Sequence, residues 1–119
     1  MAADSQHRVA GADGRLLLDR LRFARRARTR MRGLLGRRSL DQGEGLAFRE
    51  KSIHMFFMRM SLDIVFCDSE LRVLKVVTQL RPWRVAACAG ARYVLEIGPG
   101  EADRLGISVG ERLVAEPPF

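Results

Sequence analysis

The second half of this chain is a succession of short apolar runs rich in β-branched and aromatic residues, and that pattern most limits what it can fold into. "GEGLAF" follows a Gly-rich turn, "SIHMFFM" and "LDIVFCD" come next, "LRVLKVVTQL" is a further extended candidate, "RYVLEIG" alternates strictly, and "ERLVAE" runs up to Pro117 and Pro118. The separators "RMS", "DSE" and "RPWRVAACAGA" are short or turn-like. Runs this short bury their apolar faces against one another, so the expected fold is α+β: a compact, mainly antiparallel curved sheet, barrel-like, with one or two short helices. "GEADRLG" reads as one helix, with Glu101 and Asp103 suited to its N-terminal end and Gly106 to its stop.

The other helix expected lies ahead of the strands, in "ARTRMRGLLG". Ala27, Met31, Leu34 and Leu35 fall on one face, Gly36 ends the pattern, and Arg37 and Arg38 suit the negative end of the helix dipole. Arg28 and Arg32 lie beyond the edge of that face, and Arg25 and Arg26 sit at the opposite end, where cations are unfavourable unless an anion or carboxylate joins them. The basicity is local: residues 1–38 hold eleven arginines against three aspartates, whereas residues 39–119 hold ten Lys and Arg against eleven Asp and Glu. Two accounts fit this region. One is a solvated basic helix; the other is a contact for nucleic acid or another polyanion through Arg25, Arg26 and Arg28. No aromatic residue is interleaved with these arginines, so base stacking on this helix has little support.

At 119 residues, with 47% hydrophobic and 29% charged residues, one domain is expected over residues 15–119, preceded by a flexible tail over residues 1–14. No apolar run approaches the roughly 18 residues of a membrane span, and "MAADSQHRVAGADGR" lacks the basic and apolar regions of a signal peptide. A cytoplasmic protein with no membrane partner is the expectation. Cys67 and Cys88 stand in no ligand or redox spacing and read as separate thiols. No metal or cofactor is expected.

The order "RGLLGR…L…GEGLAF…HMFFMRMSLDIVF…PW…VLEIGPG…GISVGERL" resembles the bacterial and archaeal family known as domain of unknown function 192, over roughly Phe23 to Glu116. The resemblance implies a β-barrel-like α+β fold whose recurring positions fall here at Phe57, Met58, Arg59, Asp63, Pro82, Leu95, Glu96 and Gly100. Ser61, Ala47 and Trp83 depart from the family's usual residues.

The run "SIHMFFMRMSLDIVFCD" is the most chemically mixed part of the chain. A strand through it would put His54, Phe56, Met58 and Met60 on one face and Met55, Phe57 and Arg59 on the other. Arg59 and Asp63 are spaced for an ion pair bracing a turn, and the methionines read as core fillers rather than metal ligands. Glu96, in the middle of an apolar strand, needs a cation, a donor or water, and Arg59 is a plausible partner. Trp83, beside Pro82, is either a lid over the core or a stacking wall. The preferred reading is a small ligand- or partner-binding domain whose cleft is lined by His54, Phe57, Arg59, Asp63, Trp83 and Glu96. The alternatives are an acid/base enzyme pairing His54 with Asp63 or Glu96, and a polyanion adaptor working through the N-terminal arginines.

Overall fold

A computed structural model describes residues 4–25, 34 and 36–119. Nine strands occur among them: β1 (Ser5–Gly11), β2 (Leu16–Phe23), β3 (Glu44–Phe48), β4 (Ser52–His54), β5 (Leu62–Cys67), β6 (Val73–Leu80), β7 (Val85–Ala87), β8 (Tyr93–Ile97) and β9 (Leu113–Glu116). One short helix, α1 (Glu101–Leu105), precedes β9. Seven strands form a curled sheet in the order β6-β5-β8-β3-β2-β1-β9, and β4 and β7 form a separate two-stranded ribbon. The α+β curved-sheet expectation therefore holds.

All the pairings are antiparallel except β2 with β3. That parallel pair needs a long crossover, and the chain between Phe23 and Glu44 supplies it. Most of the helix expected over Ala27–Gly36 lies outside the described residues, but Leu34 is buried against the sheet. The curl brings the two edge strands together at one corner. There Arg72 bridges Arg112, and Leu113 and Val73 amides donate to the Leu71 and Glu111 carbonyls. Edge closure of this kind removes unpaired strand donors that would otherwise invite another chain.

The central strands are covered on both faces, which explains their near-continuous apolar runs. β5 is buried at every residue from Leu62 to Cys67. Its side chains alternate between two cores: Val65 and Cys67 pack with Leu95, Ile97, Leu18 and Phe23, while Leu62, Ile64 and Phe66 pack with Leu46, Val94 and Leu34. Gly45 in β3 is closely surrounded: a Cβ there would stand 3.0 Å from Leu21 Cδ1 and 3.2 Å from the Glu96 carbonyl, so a side chain would force its neighbours to shift.

The segment expected as a free tail contains β1, which lies between β2 and β9. Val9 and His7 are buried, and the His7 ring donates from Nδ1 to the Pro117 carbonyl and shares a hydrogen bond between Nε2 and Ser5 Oγ while packing edge-on to Phe119, 4.9 Å between centroids. The C-terminal residues thus dock on the first strand. No helix among the described residues is long and apolar enough to cross a membrane.

Candidate functional site

The β4–β7 ribbon is small, but it is firmly seated. Ile53, Met55 and Ala86 point into the second core cluster, and Lys75 Nζ of β6 donates to the Ala87 carbonyl at 2.8 Å. The opposite face of the ribbon shows His54 and Val85, paired in register, to solvent. Sequence alternation predicts this division for Ile53, His54 and Met55.

Beyond His54 the strand does not continue. Met55 to Met58 close a turn through Met58 N–H donating to the Met55 carbonyl at 3.2 Å, and Phe57 holds φ +66°. The expected strand "IHMFFMRM" is therefore broken at its aromatic pair. On the facing side, Arg81 to Arg84 make a second turn of the same kind: Arg84 N–H donates to the Arg81 carbonyl, Pro82 takes the first central position, and Trp83 holds φ +70°. Two further hydrogen bonds clamp the turns together, Met55 N–H to the Arg84 carbonyl and Trp83 N–H to the Met55 carbonyl, both 2.8 Å.

A positive φ at the second central position of such a turn is the place where glycine is favoured, and an L residue there costs about 1 to 2 kcal/mol. Leu71 and Gln79 are the other non-glycine residues at positive φ among those described. Each has a structural reason: Leu71 packs against the first core cluster, and the Gln79 amide is held by Asp63. The Trp83 amide is likewise held, by the Met55 carbonyl, but the Phe57 and Trp83 rings gain little burial, being 67% and 58% exposed.

What the two turns achieve is a row of rings. His54 stacks on Phe56 at 4.5 Å and 22°, Phe56 meets Trp83 at 5.9 Å and 31°, and Trp83 meets Phe57 at 4.8 Å and 59°. Val85, 65% exposed, lengthens the apolar surface. Alongside runs an open groove of about 640 Å³ lined by His54, Phe56, Ser52, Lys75, Val85 and Glu50.

Of the six residues expected to share a cleft, His54, Phe57 and Trp83 come together here. Arg59 is exposed just past the first turn. Asp63 and Glu96 lie elsewhere, and on opposite faces of the sheet. Asp63 is completely buried, and its two oxygens accept from the Gln79 amide at 2.8 Å and the Ala102 amide at 2.9 Å. It thus fastens an irregularity in β6 and the first turn of α1, whose N-cap Gly100 has no side chain to do so. The expected Arg59–Asp63 pair is absent, since those oxygens are committed to backbone. Glu96 is 8% exposed, in register with Leu46 and Ile64 on the second cluster's face, and is engaged there. No carboxylate among the described residues hydrogen-bonds His54, whose Nδ1 faces the Phe56 amide at 3.3 Å.

Of the N-terminal arginines, Arg26 and Arg28 lie outside the described residues. Arg25 is exposed, with its guanidinium 5.3 Å from the Phe23 ring centroid and its amide donating to Asp4. Phe56, Val85, Arg81 and Arg84 are the patch residues that sequence reasoning missed. The signal was present in "RPWR", where Pro82 predicts a turn whose next position favours glycine and Trp83 occupies it.

Fold and site together define a curled-sheet α+β domain that displays a row of aromatic rings on a small ribbon. The chain belongs to the DUF192 family, "Uncharacterized ACR", which it matches over residues 8–115. Curated relatives include UPF0127 proteins of Thermococcus sibiricus, 40% identical over 63 residues, and Pyrococcus abyssi, 43% identical over 63 residues; these matches take in 52% of this chain. They span 40% and 53% of those relatives, so about half of each curated protein or less is matched. Among solved structures, a transcription-regulator candidate from Sinorhizobium meliloti superposes with a TM-score of 0.81 at 27% identity, covering 96% of this chain and 95% of that one. A protein of unknown function from Novosphingobium aromaticivorans gives 0.77 at 28% identity, covering 95% and 93%.

Proposed function

We propose that this domain is a binding module whose recognition surface is the ring row of His54, Phe56, Trp83 and Phe57. One observation carries the reading: two turns hold aromatic residues in a conformation that favours glycine, and both rings face solvent. Local strain of this kind clusters at ligand-binding and active sites, which supports the reading. A flat, partly apolar ligand or partner group is the natural occupant, because stacked and tilted rings offer it π faces and edges.

An acid/base enzyme has less support. Asp63 is completely buried with each oxygen accepting from a backbone amide, Glu96 belongs to the other face, and His54 stands without a hydrogen-bonded carboxylate among the described residues.

Trp83 is the chain's only tryptophan, so its emission reports on the surface directly. A panel of planar heteroaromatic and amphipathic compounds, screened by Trp83 fluorescence and thermal shift, should contain binders that quench emission and raise the melting temperature. Phe57→Ala should lose the response while keeping the parent melting temperature within a few degrees. A panel in which nothing perturbs Trp83 would sink the reading.

A further inference from the structure

Two stretches of the chain hold no acidic residue. Residues 51–62 carry Lys51 and Arg59, and residues 71–95 carry Arg72, Lys75, Arg81, Arg84 and Arg92. They contain seven of the ten Lys and Arg that follow Arg38 and none of the eleven Asp and Glu. The ring row is built from these same two stretches. Arg81 and Arg84 bracket Trp83 within its turn, and Arg59 follows Phe57 by two residues.

The cations also differ in how they are used. Arg15, Arg20, Arg22 and Arg37 each sit within ion-pair distance of a carboxylate. Among the described residues, none of Arg59, Arg81 and Arg84 has a carboxylate partner, and all three are exposed. Exposed rings interleaved with unneutralised arginines combine the two features that single-strand binders use: base stacking on aromatic faces and charge along the phosphates.

Resting on the binding-module reading above, we propose that the ring row binds single-stranded nucleic acid, its bases stacking on Trp83 and Phe57 and its phosphates meeting Arg59, Arg81 and Arg84. A row of this length suits about two or three bases, as on other sheet-borne aromatic platforms. A duplex is disfavoured, because its bases are stacked on one another and offer no free face. The groove beside the rings has the Lys75 amine and the His54 ring along it and Glu50 as the one carboxylate in its lining, and it is a trough that a linear chain can follow. A flat bilayer would leave it empty.

The test is a labelled oligothymidine of about ten nucleotides, within the usual site size for such binders, titrated with the full chain at several salt concentrations. Anisotropy and Trp83 emission are read together. Binding should quench Trp83 and weaken with salt. Arg81→Ala with Arg84→Ala should weaken it at least about tenfold and reduce the log–log salt slope by about 1.4, two phosphate contacts on a single strand. Trp83→Ala should weaken it by about tenfold with the slope unchanged, as loss of one stacked base predicts. Both variants should keep the parent circular dichroism spectrum.

Inorganic polyphosphate competing equally without perturbing Trp83 would reduce the surface to an anion patch and overturn the proposal. A blue shift of Trp83 on phosphatidylserine vesicles, with no response to the oligonucleotide, would overturn it in favour of a membrane. If the oligonucleotide fails while compounds of the planar panel still quench Trp83, the occupant is wrong and the platform stands; if nothing quenches Trp83, both fall.

Discussion

At the scale of single residues, the two carboxylates buried within strands, Asp63 and Glu96, show why charge in an apolar strand is a poor guide to a site. Asp63 reads in sequence as one half of a local ion pair, yet its place at the start of β5 sets it between β6 and α1, where one oxygen accepts from the Gln79 amide and the other from the Ala102 amide. Replacing one carboxylate oxygen by an amide N–H₂ would set donor against donor, so Asp63→Asn should lower unfolding free energy by about 2 to 4 kcal/mol. A urea titration that finds less than about 1 kcal/mol of loss would contradict this role. The cysteines separate in the same way. Burial, with the Asp68 charge adding to it, pushes the Cys67 thiol up to about 12, while Cys88 is only half-buried. Iodoacetamide at neutral pH should therefore label Cys88 in the native protein and both thiols after unfolding. Equal native labelling of the two would show that Cys67 is not sealed in the core. Which face of the sheet Asp63 and Glu96 occupy was not legible in the sequence. Parity along each strand follows from the two-residue period, but the relative placement of β5 and β8 depends on cross-strand register, which no local pattern encodes.

Among the elements, β3, β5, β6, β8 and β9 were legible because each is a continuous apolar or alternating run with turn residues at its ends, and α1 because Glu101 and Asp103 mark its start and Gly106 its stop. β1 and β2 were not. "LLLDRLRF" buries Leu17, Leu18, Leu21 and Phe23, a set that breaks alternation because the β1–β2 pairing shifts register between His7 and Ala10. β7 is three residues long and was hidden in what reads as a loop. The chain leading into β3 is held by Arg37, whose guanidinium donates to both Glu44 oxygens at 2.7 and 2.9 Å while the Asp41 amide adds a third bond. Those hydrogen bonds, Arg37's first among them, hold the Glu44 carboxyl below its ordinary 4.5. A carboxylate lowered on folding contributes stability above its unfolded pKa and loses it as pH falls through the folded value. Both side chains are partly solvated, so the contribution is below about 1 kcal/mol. Glu44→Gln should be slightly less stable than the parent at neutral pH, and the two should converge in acid below the ordinary glutamate range. Thermal scans across that range check it; a gap that widens as pH falls would reverse the sign.

For the whole molecule, the informative quantity is where charge lies rather than its total of +7. Dividing the chain at Arg38 makes the later part look nearly neutral, and the fold shows why that division misleads. β4 with its following turn and β6 with β7 come from separate stretches of sequence, yet β4 and β7 pair as one ribbon, and Lys75 of β6 joins them along one groove whose acidic lining residue is Glu50. Six of the eleven carboxylates that follow Arg38 lie instead on the Asp68–Glu70 turn, α1 and the chain around β9. The ring row on that ribbon is held to be displayed for binding and not packed for stability. Chemical denaturation of Phe57→Gly with Trp83→Gly, followed by far-ultraviolet circular dichroism, tests this most directly. Glycine relieves about 1 to 2 kcal/mol of left-handed strain at each turn, against about 0.5 to 1.5 kcal/mol of lost ring contact and the extra chain entropy of glycine, about 0.5 to 1 kcal/mol. The double variant should therefore unfold within about 1.5 kcal/mol of the parent. A loss of about 4 kcal/mol or more, the size of a large core truncation, would mean that the rings belong to the core of the fold and would contradict the account.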